Sequence, residues 1–291
     1  MSSYSKQYYQ EKQKSSLQSA QEVVPLVLEL IQPLNVIDIG CGIGIWLSVF
    51  KEHGVEEVWG IDGEWVDEDM LHIPREQFMS VDLSKTFIIG RQFDLVVSLE
   101  VAEHLPVECS ETFVDSLTRL GPIILFSAAL PFQGGTDHLN EQWPDYWAIH
   151  FLNRGYLAID CLRKKIWQNE NVDWWYIQNI MLYVKKDYLE NYPLLKKEYE
   201  YQTLYPLSIV HPRFYLELQN RLTELGRWYT ELKKQVVELS SWGAGLQKQV
   251  AELEELKPGR VSLKRVLFAL PSLTMHAIYT KIDRIFSRNN S

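Results

Sequence analysis

The sequence contains few of the features that would indicate a secreted, zinc-binding or membrane-spanning protein. Its three cysteines, Cys41, Cys109 and Cys161, are odd in number and far apart, so they suit neither a disulfide framework nor a CxxC metal site. It has no run of about 18 apolar residues, and its N-terminus lacks the apolar core of a signal peptide. We therefore expect a protein of the reducing cytoplasm with no transmembrane segment.

An excess of positive charge is also absent. The net charge is −9, which argues against a general nucleic-acid binder, so we expect no nucleic-acid partner. A composition of 46% hydrophobic and 23% charged residues is typical of a soluble globular protein. The 291 residues suffice for one domain of ordinary size with additions.

The most informative segment is 36–46, Val-Ile-Asp-Ile-Gly-Cys-Gly-Ile-Gly-Ile-Trp, in which a short apolar strand leads into three glycines. Gly40, Gly42 and Gly44 remove every Cβ from the strand-to-helix turn, so positive φ is permitted and a ligand can lie against the backbone. A nucleotide-type cofactor is the expected occupant. The turn alone also fits an NAD(P)-linked dehydrogenase, or glycines that serve only helix–strand packing.

Strands alternate with helical patterns between about residues 35 and 187, which predicts an α/β fold. The strand candidates are 35–40, 57–61, 77–82, 93–99, 122–128, 156–163 and 178–185. Helix-length segments join the first five, which predicts parallel βαβ units. The last two are joined without helical period and could form an antiparallel hairpin at a sheet edge.

Acidic residues follow the early strands in a fixed order. Asp62 ends the second strand, about 20 residues after the glycine turn, where a carboxylate can bind both ribose hydroxyls. Asp82 follows the third strand, and Glu100 follows the fourth. With these four ordered motifs, residues 33–187 resemble the class I S-adenosylmethionine-dependent methyltransferases.

That resemblance implies a doubly wound, seven-stranded Rossmann-like sheet with S-adenosyl-L-methionine as the cofactor. It implies that Asp38 and the glycines line the amino-acid end of the cofactor, that Asp62 binds the ribose, and that Asp82 with Leu83 holds the adenine edge. A dehydrogenase is disfavoured because Asp82-Leu83 has no role in one. The implied cofactor-binding residues are Asp38, Gly40, Cys41, Gly42, Gly44, Asp62, Asp82, Leu83 and Leu99.

Residues 100–104, Glu-Val-Ala-Glu-His, form a candidate metal motif. If a helix starts here, Glu100, Glu103 and His104 share one face, and two carboxylates with an imidazole suit a hard divalent ion. The pattern resembles the metal motif of small-RNA 2′-O-methyltransferases and of ubiquinone-pathway O-methyltransferases. In the RNA enzymes a downstream histidine completes the site, and His138 is the matching residue here. The predicted ligands of Mg²⁺ or Mn²⁺ are Glu100, Glu103, His104 and His138.

Such an ion would lower the pKa of a sugar or catechol hydroxyl and align it with the methyl sulfonium. Two alternatives stay open: His138 or His104 acts as a metal-free general base, or Glu103 and His104 only cap the local structure. We predict catalytic roles for His138, His104 and Glu141.

Residues 131–147 are dense in polar and aromatic side chains and follow the fifth strand, where a methyltransferase meets its acceptor. The segment resembles bacterial methyltransferases of surface polysaccharides and other glycans. Hydrogen bonds to sugar hydroxyls are predicted for Asn140, Glu141 and Gln142, and ring stacking, or else packing of a helix start, for Trp143, Tyr146 and Trp147. The predicted activity is O-methylation of a sugar or glycan hydroxyl. A catechol or quinone-precursor O-methyltransferase and a non-catalytic cofactor-binding scaffold are the alternatives.

The chain is predicted to have five segments: a helical cap (1–32), the methyltransferase domain (33–187), a connector (188–215), a coiled coil (216–257) and a basic amphipathic tail (258–291). Steps of four and three residues separate the heptad positions Leu218, Leu222, Leu225, Tyr229, Leu232, Val236, Leu239, Gly243, Leu246, Val250 and Leu253. The narrow apolar stripe favours a homo-oligomer over one helix packed on the domain.

The tail carries six basic residues and one acidic residue among apolar ones. Such a segment can lie on the inner face of an anionic membrane, which would place the enzyme at the membrane periphery. It could equally dock on a glycosyltransferase-like partner, or remain an unstructured extension.

Overall fold

The computed structural model describes residues 6–202 and 207–256. The chain divides into two units, Met1–Gln219 and Asn220–Ser291. The predicted basic tail, 258–291, and the end of the predicted coiled coil lie outside the described residues.

The first unit contains the sheet and the helices that cover it. The strands are β1 (Asn35–Ile39), β2 (Glu57–Asp62), β3 (Phe78–Ser80), β4 (Leu95–Leu99), β5 (Ile123–Ser127), β6 (Tyr156–Ile159) and β7 (Met181–Lys185). The helices are α1 (Lys6–Ile31), α2 (Ile45–Glu52), α3 (Ser110–Leu120), α4 (Pro144–Leu152), α5 (Arg163–Ile166), α6 (Trp174–Asn179), α7 (Pro193–Gln202) and α8 (Pro212–Leu256), of which α8 continues into the second unit.

The seven strands form one sheet in the order β3-β2-β1-β4-β5-β7-β6. The first five in that order are parallel, and β7 runs antiparallel to both β5 and β6. The predicted doubly wound sheet is therefore confirmed, including the antiparallel pairing of the last two strands. The order reverses between β1 and β4, and in open α/β sheets ligands bind beyond the carboxyl ends of the strands at such a point.

Helices cover both faces of the sheet, which explains why its central strands are almost wholly apolar. On one face α1 and α2 pack against β1 and β4 through a cluster that includes Val27 and Leu47. On the other face α3 and α4 contribute Phe113, Trp147 and Phe151. Both faces of β4 and β5 are consequently buried, so these strands hold the carboxyl edge of the sheet in a fixed position.

Three local predictions are wrong. No α-helix joins β2 to β3 or β3 to β4, and the first of these links contains only two short 3₁₀ turns. The sixth strand ends at Ile159 rather than at residue 163, because the buried Arg163 turns inward to bind Asp160 and the carbonyl oxygens of Gln178 and Leu207. The link to β7, predicted to lack helix, contains α5 and α6.

The helix expected to start at Glu100 is also absent. Glu100 has a φ of 56°, in the left-handed region, and a 3₁₀ turn covers Ala102–His104. The backbone N–H of Glu100 donates to Ser127 at the end of β5, which holds the chain in this conformation. Glu100, Glu103 and His104 therefore do not share one helix face, although Glu103 and His104 do converge with His138.

The predicted coiled-coil segment lies within α8, which begins at Pro212, four residues earlier than predicted. Proline is favoured at the first helical position, where its missing N–H costs nothing. Among the described residues, no helix combines the length and the apolar character needed to cross a membrane.

Candidate active site

A cleft that is open to solvent lies at the carboxyl end of β1. The glycine turn forms one wall, and α1, α2, α6 and the end of β4 supply the others. The lining residues are Gln13, Ser16, Asp38, Gly40, Cys41, Gly42, Ile43, Ile45, Trp46, Leu99 and Tyr176. The cleft lies at the point where the strand order reverses, as expected for a ligand site in this sheet.

The three glycines of the turn all have positive φ, but a side chain at each would meet different surroundings. A Cβ at Gly40 would overlap Val101, and one at Gly44 would press on Ile73. A Cβ at Gly42 would meet nothing within 4 Å. Gly42 therefore presents bare backbone to open space, as a cradle for a cofactor requires.

Five of the predicted cofactor residues line the cleft, namely Asp38, Gly40, Cys41, Gly42 and Leu99. Gly44 caps the N-terminus of α2. The sequence interpretation missed four polar or aromatic members of the wall: Gln13, Ser16, Trp46 and Tyr176. Their positions, scattered from α1 to α6, follow no local pattern, and only the polar first half of α1 hinted that this helix faces a ligand.

Asp38 gives the cleft its electrostatic character. Its carboxyl group is 4% exposed, and burial, followed by the nearby Asp62 carboxylate, raises its pKa well above the usual range. Burial likewise raises the pKa of the Cys41 thiol, so this cysteine is neutral. None of the described residues that line the cleft is cationic. A ligand that brings a positive charge to Asp38 would therefore be strongly favoured.

Asp62 holds the glycine turn itself. Its Oδ2 accepts the backbone N–H of Gly42 at 2.6 Å, and its Oδ1 accepts that of Gly63, also at 2.6 Å. Burial raises the pKa of Asp62 in spite of these hydrogen bonds. The Trp65 side chain also hydrogen-bonds this carboxylate, and the ribose role of Asp62 stays a prediction.

The residues predicted to hold the adenine edge lie apart from the described cleft lining. Asp82 is exposed and binds Lys85 and Ser84, which lower its pKa to about 2. Leu83 is buried in the core beside β4. The adenine role of Asp82 and Leu83 stays a prediction.

The structure brings Glu103, His104 and His138 together. One potential ligand atom from each lies within 4.8 Å of the others. The rings of His104 and His138 meet edge to face, with centroids 4.9 Å apart. Two backbone hydrogen bonds join the segments, because the N–H groups of Leu139 and Asn140 both donate to the carbonyl oxygen of Glu103, at 2.7 and 3.0 Å.

This donor set fits a divalent ion. The Glu103 side chain is fully buried, and neither carboxylate oxygen makes a hydrogen bond of good geometry. Burial, followed by the charge of Glu100, raises the pKa of Glu103 well above its usual range. Octahedral bonds of about 2.1 Å place ligand atoms no more than about 4.2 Å apart. Small side-chain movements would bring the three ligand atoms close enough together to bind one ion.

Glu100 lies beside this cluster but has other partners. Its carboxylate accepts hydrogen bonds from Nε2 of Gln133 at 2.9 Å and from Nδ2 of Asn179 at 3.0 Å. Neither Gln133 nor Asn179 was among the predicted site residues. Glu100 is not among the three converging donors, so its predicted role as a metal ligand stays a prediction.

Glu141 organises the loop that carries His138. Its carboxylate accepts the backbone N–H groups of Phe132 and Gly134 and lies 3.0 Å from Nδ1 of His138. Because a carboxylate only accepts, this contact assigns the ring proton to Nδ1 and leaves the Nε2 lone pair for a metal or a proton. Glu141 thus orients His138, and its oxygens are already in use.

Most of the other side chains that were predicted to contact a sugar make their contacts within the protein. The Asn140 amide is buried and donates to Ser110, and Gln142 donates to Asn140. Trp147 is buried against Phe126, with ring centroids 5.3 Å apart, so of its two predicted roles the packing of the helix start holds. Trp143 is 42% exposed and keeps a face for a ligand.

Phe132 is an exposed aromatic residue that the sequence interpretation did not single out. It is 75% exposed and has a φ of 69°, a conformation that non-glycine residues rarely adopt. The shared Glu141 carboxylate places it beside His138. Strained backbone that displays a large apolar side chain is commonly a functional feature.

Gly135 supplies a test of how His138 is held. A Cβ at this position would lie well under 3.0 Å from three atoms of the His138 ring. We expect Gly135→Ala to displace the imidazole and to lower the free energy of unfolding by about 1–3 kcal/mol. Chemical denaturation would measure this loss. Gly90→Ala is the control, since a Cβ there meets nothing within 4 Å, and an equal loss in both variants would contradict the contact.

Comparison with known proteins adds a family match. The family model described as "Methyltransferase domain" matches residues 9–175, more than half of the chain. A comparison with curated protein sequences found no significant match.

Three similar solved structures illustrate the structural comparison. The methyltransferase domain of bacterial CtHen1 is 21% identical, with 57% of this chain and 97% of that chain covered and a TM-score of 0.42. Magnesium protoporphyrin IX methyltransferase from Synechocystis PCC 6803 is 19% identical, with coverage of 61% and 87% and a TM-score of 0.44. Streptomyces venezuelae DesVI is 14% identical, with coverage of 61% and 94% and a TM-score of 0.44.

Proposed function

The chain belongs to the methyltransferase-domain family, and from this premise we propose that it methylates a hydroxyl of a sugar or glycan intermediate with the help of a divalent metal. The methyl donor is S-adenosylmethionine, in agreement with the sequence prediction. The acceptor and the metal are the proposed part. The observation that supports the metal is the convergence of Glu103, His104 and His138 just beyond the carboxyl end of β4.

The cleft residues would fix the donor. Asp38 would accept hydrogen bonds from the donor's ammonium group, and the exposed backbone of Gly42 would lie along its amino-acid moiety. Leu99 lines the same cleft, and Glu103 follows it by four residues. The residues that line the methyl-donor cleft and the candidate metal ligands therefore lie in adjoining segments at one edge of the sheet.

The candidate metal residues would fix the acceptor. Glu103, His104 and Nε2 of His138 would hold the ion, while Glu141 would keep Nδ1 of His138 protonated and the ring in place. A bound Mg²⁺ or Mn²⁺ would supply a lower pKa at the acceptor hydroxyl and a fixed orientation for attack. A vicinal diol suits such a site because it can chelate.

A metal-free route is the second candidate, and the contact between His138 and Glu141 favours it. In that route Nε2 of His138 takes the hydroxyl proton as the oxygen–methyl bond forms and the sulfur–methyl bond breaks. Glu141, 3.0 Å from Nδ1, would stabilise the resulting imidazolium.

Exposed side chains around His138 support an acceptor with an apolar ring face. Phe132 and Leu139 are 75% and 65% exposed, and Trp143 lies a few residues further on. Aromatic faces bind sugar rings and catechols alike. The catechol or quinone-precursor acceptor therefore stays the alternative.

Transfer of a tritiated methyl group from S-adenosylmethionine tests the proposal. The full chain would be incubated with a panel of methyl glycosides and bacterial glycan fragments, and separately with catechol, before and after EDTA treatment. We expect label in a glycan arm that EDTA abolishes and Mg²⁺ or Mn²⁺ restores. Transfer that EDTA leaves unchanged would favour the His138 base, label only in catechol would overturn the glycan acceptor, and no transfer in any arm would favour the scaffold.

A further inference from the structure

The long helix α8 carries a regular heptad pattern through the second unit of the chain. When Leu218 is taken as position d, every later d position is also leucine: Leu225, Leu232, Leu239, Leu246 and Leu253. The a positions are Leu222, Tyr229, Val236, Gly243 and Val250. Two of these a positions, Val236 and Val250, are β-branched, and β-branched residues at a with leucine at d favour two parallel strands.

The apolar stripe is exposed along the helix. Leu222, Leu225 and Val236 are 53%, 58% and 47% exposed, and Tyr229 is 64% exposed. Most helical stability in proteins comes from packing of the apolar face. We therefore expect the apolar stripe, which runs over five heptads, to pack against a partner helix.

The residues that flank the stripe are compatible with a second copy of this chain. In a parallel, in-register pair, each g position faces the next e position of the other strand. The successive facing pairs are Arg221 with Gly226, Trp228 with Lys233, Gln235 with Ser240, Trp242 with Gln247, and Gln249 with Glu254. None of these pairs places like charges together, and Trp228 with Lys233 can form a cation–π contact.

We propose that residues 218–253 form a two-stranded, parallel, in-register coiled coil with a second copy of this chain. The partner is the same sequence because the same stripe supplies both halves of the core and the flanks are free of like-charge repulsion. The charges lie mainly outside the core, at the b, c and f positions, which include Glu224, Glu231, Lys234 and Glu238.

Sedimentation equilibrium of the full chain tests self-association. The expected mass is twice the chain mass of 34.1 kDa. Introducing two charges at core positions, Leu232→Glu with Leu239→Glu, should reduce the mass to that of one chain. The matched control, Lys234→Glu with Ser241→Glu, introduces the same side chains at f positions and should stay dimeric. Equal binding of S-adenosylhomocysteine by all three proteins would show that the methyltransferase domain is folded.

Cysteine cross-linking tests the orientation of the strands. Leu225→Cys, in a Cys109→Ser background, should form a disulfide-linked dimer under mild oxidation, because in-register d positions face each other. Arg227→Cys, at an f position, should not. A monomeric full chain or a larger oligomer would overturn the proposal. So would a mixture of Leu225→Cys and Val250→Cys chains that cross-links residue 225 to residue 250 while Leu225→Cys alone does not cross-link. None of these outcomes depends on methyl transfer, so they leave the proposed function untouched.

Discussion

Replacement of Asp38 by asparagine is expected to weaken binding of S-adenosylhomocysteine about 100-fold and, at the same time, to stabilise the ligand-free protein. The carboxylate is the charged partner that the cleft offers to the ligand's ammonium group, and loss of such a charge-assisted hydrogen bond costs about 2–3 kcal/mol. Titration calorimetry on the full chain measures the affinity.

The stabilisation follows from the raised pKa of Asp38. In the unfolded chain the carboxyl ionises near pH 3.9, whereas in the ligand-free fold it keeps its proton to higher pH. The unfolded state therefore binds fewer protons, and the wild-type protein loses stability as the pH rises from about 3.9 through the folded-state pKa. The gain in thermal stability of Asp38→Asn over wild type should grow across that interval and then level off.

Asp115→Asn is the matched control for Asp38→Asn. Arg154 lowers the pKa of Asp115, so this carboxylate contributes stability that is present above its unfolded pKa and is lost as the pH falls. Its replacement should slightly destabilise the protein at neutral pH and leave ligand affinity unchanged. Unaltered affinity in Asp38→Asn, or destabilisation of the ligand-free protein, would contradict the role assigned to Asp38.

Replacement of His138 by alanine is expected to reduce Mn²⁺ affinity at least about 30-fold. The variant removes one of three converging donors, and the two that remain, Glu103 and His104, hold the ion more weakly.

Glu141→Gln should weaken Mn²⁺ binding about 10-fold, because partners that orient a ligating histidine typically contribute 10- to 100-fold. Electron paramagnetic resonance of free Mn²⁺ during titration of the full chain gives both values.

The control for the metal experiment is His72→Ala, which removes an exposed imidazole away from the cluster. Its Mn²⁺ affinity should match that of the wild type. Equal, weak binding by wild type, His138→Ala and His72→Ala would show that the ion binds only to surface carboxylates, and the metal-free base would then be the better account of His138.

The sheet and its glycine turn were predictable because their signals are local. β4 and β5 are nearly continuous apolar segments, as strands covered on both faces must be, and β1 contributes Val36, Ile37 and Ile39. Gly40 and Gly42 follow β1 directly, and positive φ at a tight turn leaves little choice other than glycine. Short strands and irregular links were harder to predict, since β3 has only three residues.

The geometry around the metal motif was not predictable because tertiary contacts determine it. Glu100 adopts a φ of 56° in response to Ser127, which is 27 residues away in the chain. His138 reaches Glu103 only because the backbone of Leu139 and Asn140 is tied to that residue. The family resemblance suggested that the two segments meet, whereas spacing alone could not.

For a related reason, the sequence did not predict that Glu141 orients His138. Glu141 was predicted to contact a sugar because exposed-looking polar residues after β5 suit a ligand. In the structure its carboxylate is used by Phe132, Gly134 and His138. A sequence shows which residues can accept hydrogen bonds but not which donors within the protein reach them first.

A crystal structure of the full chain with S-adenosylhomocysteine and Mn²⁺, recorded at a wavelength where manganese scatters anomalously, tests the proposed mechanism most directly. The account predicts the ligand's ammonium group on Asp38 and one anomalous peak about 2.1–2.3 Å from Glu103, His104 and Nε2 of His138. A structure with the ligand in the cleft but no peak between these side chains at saturating Mn²⁺ would contradict it.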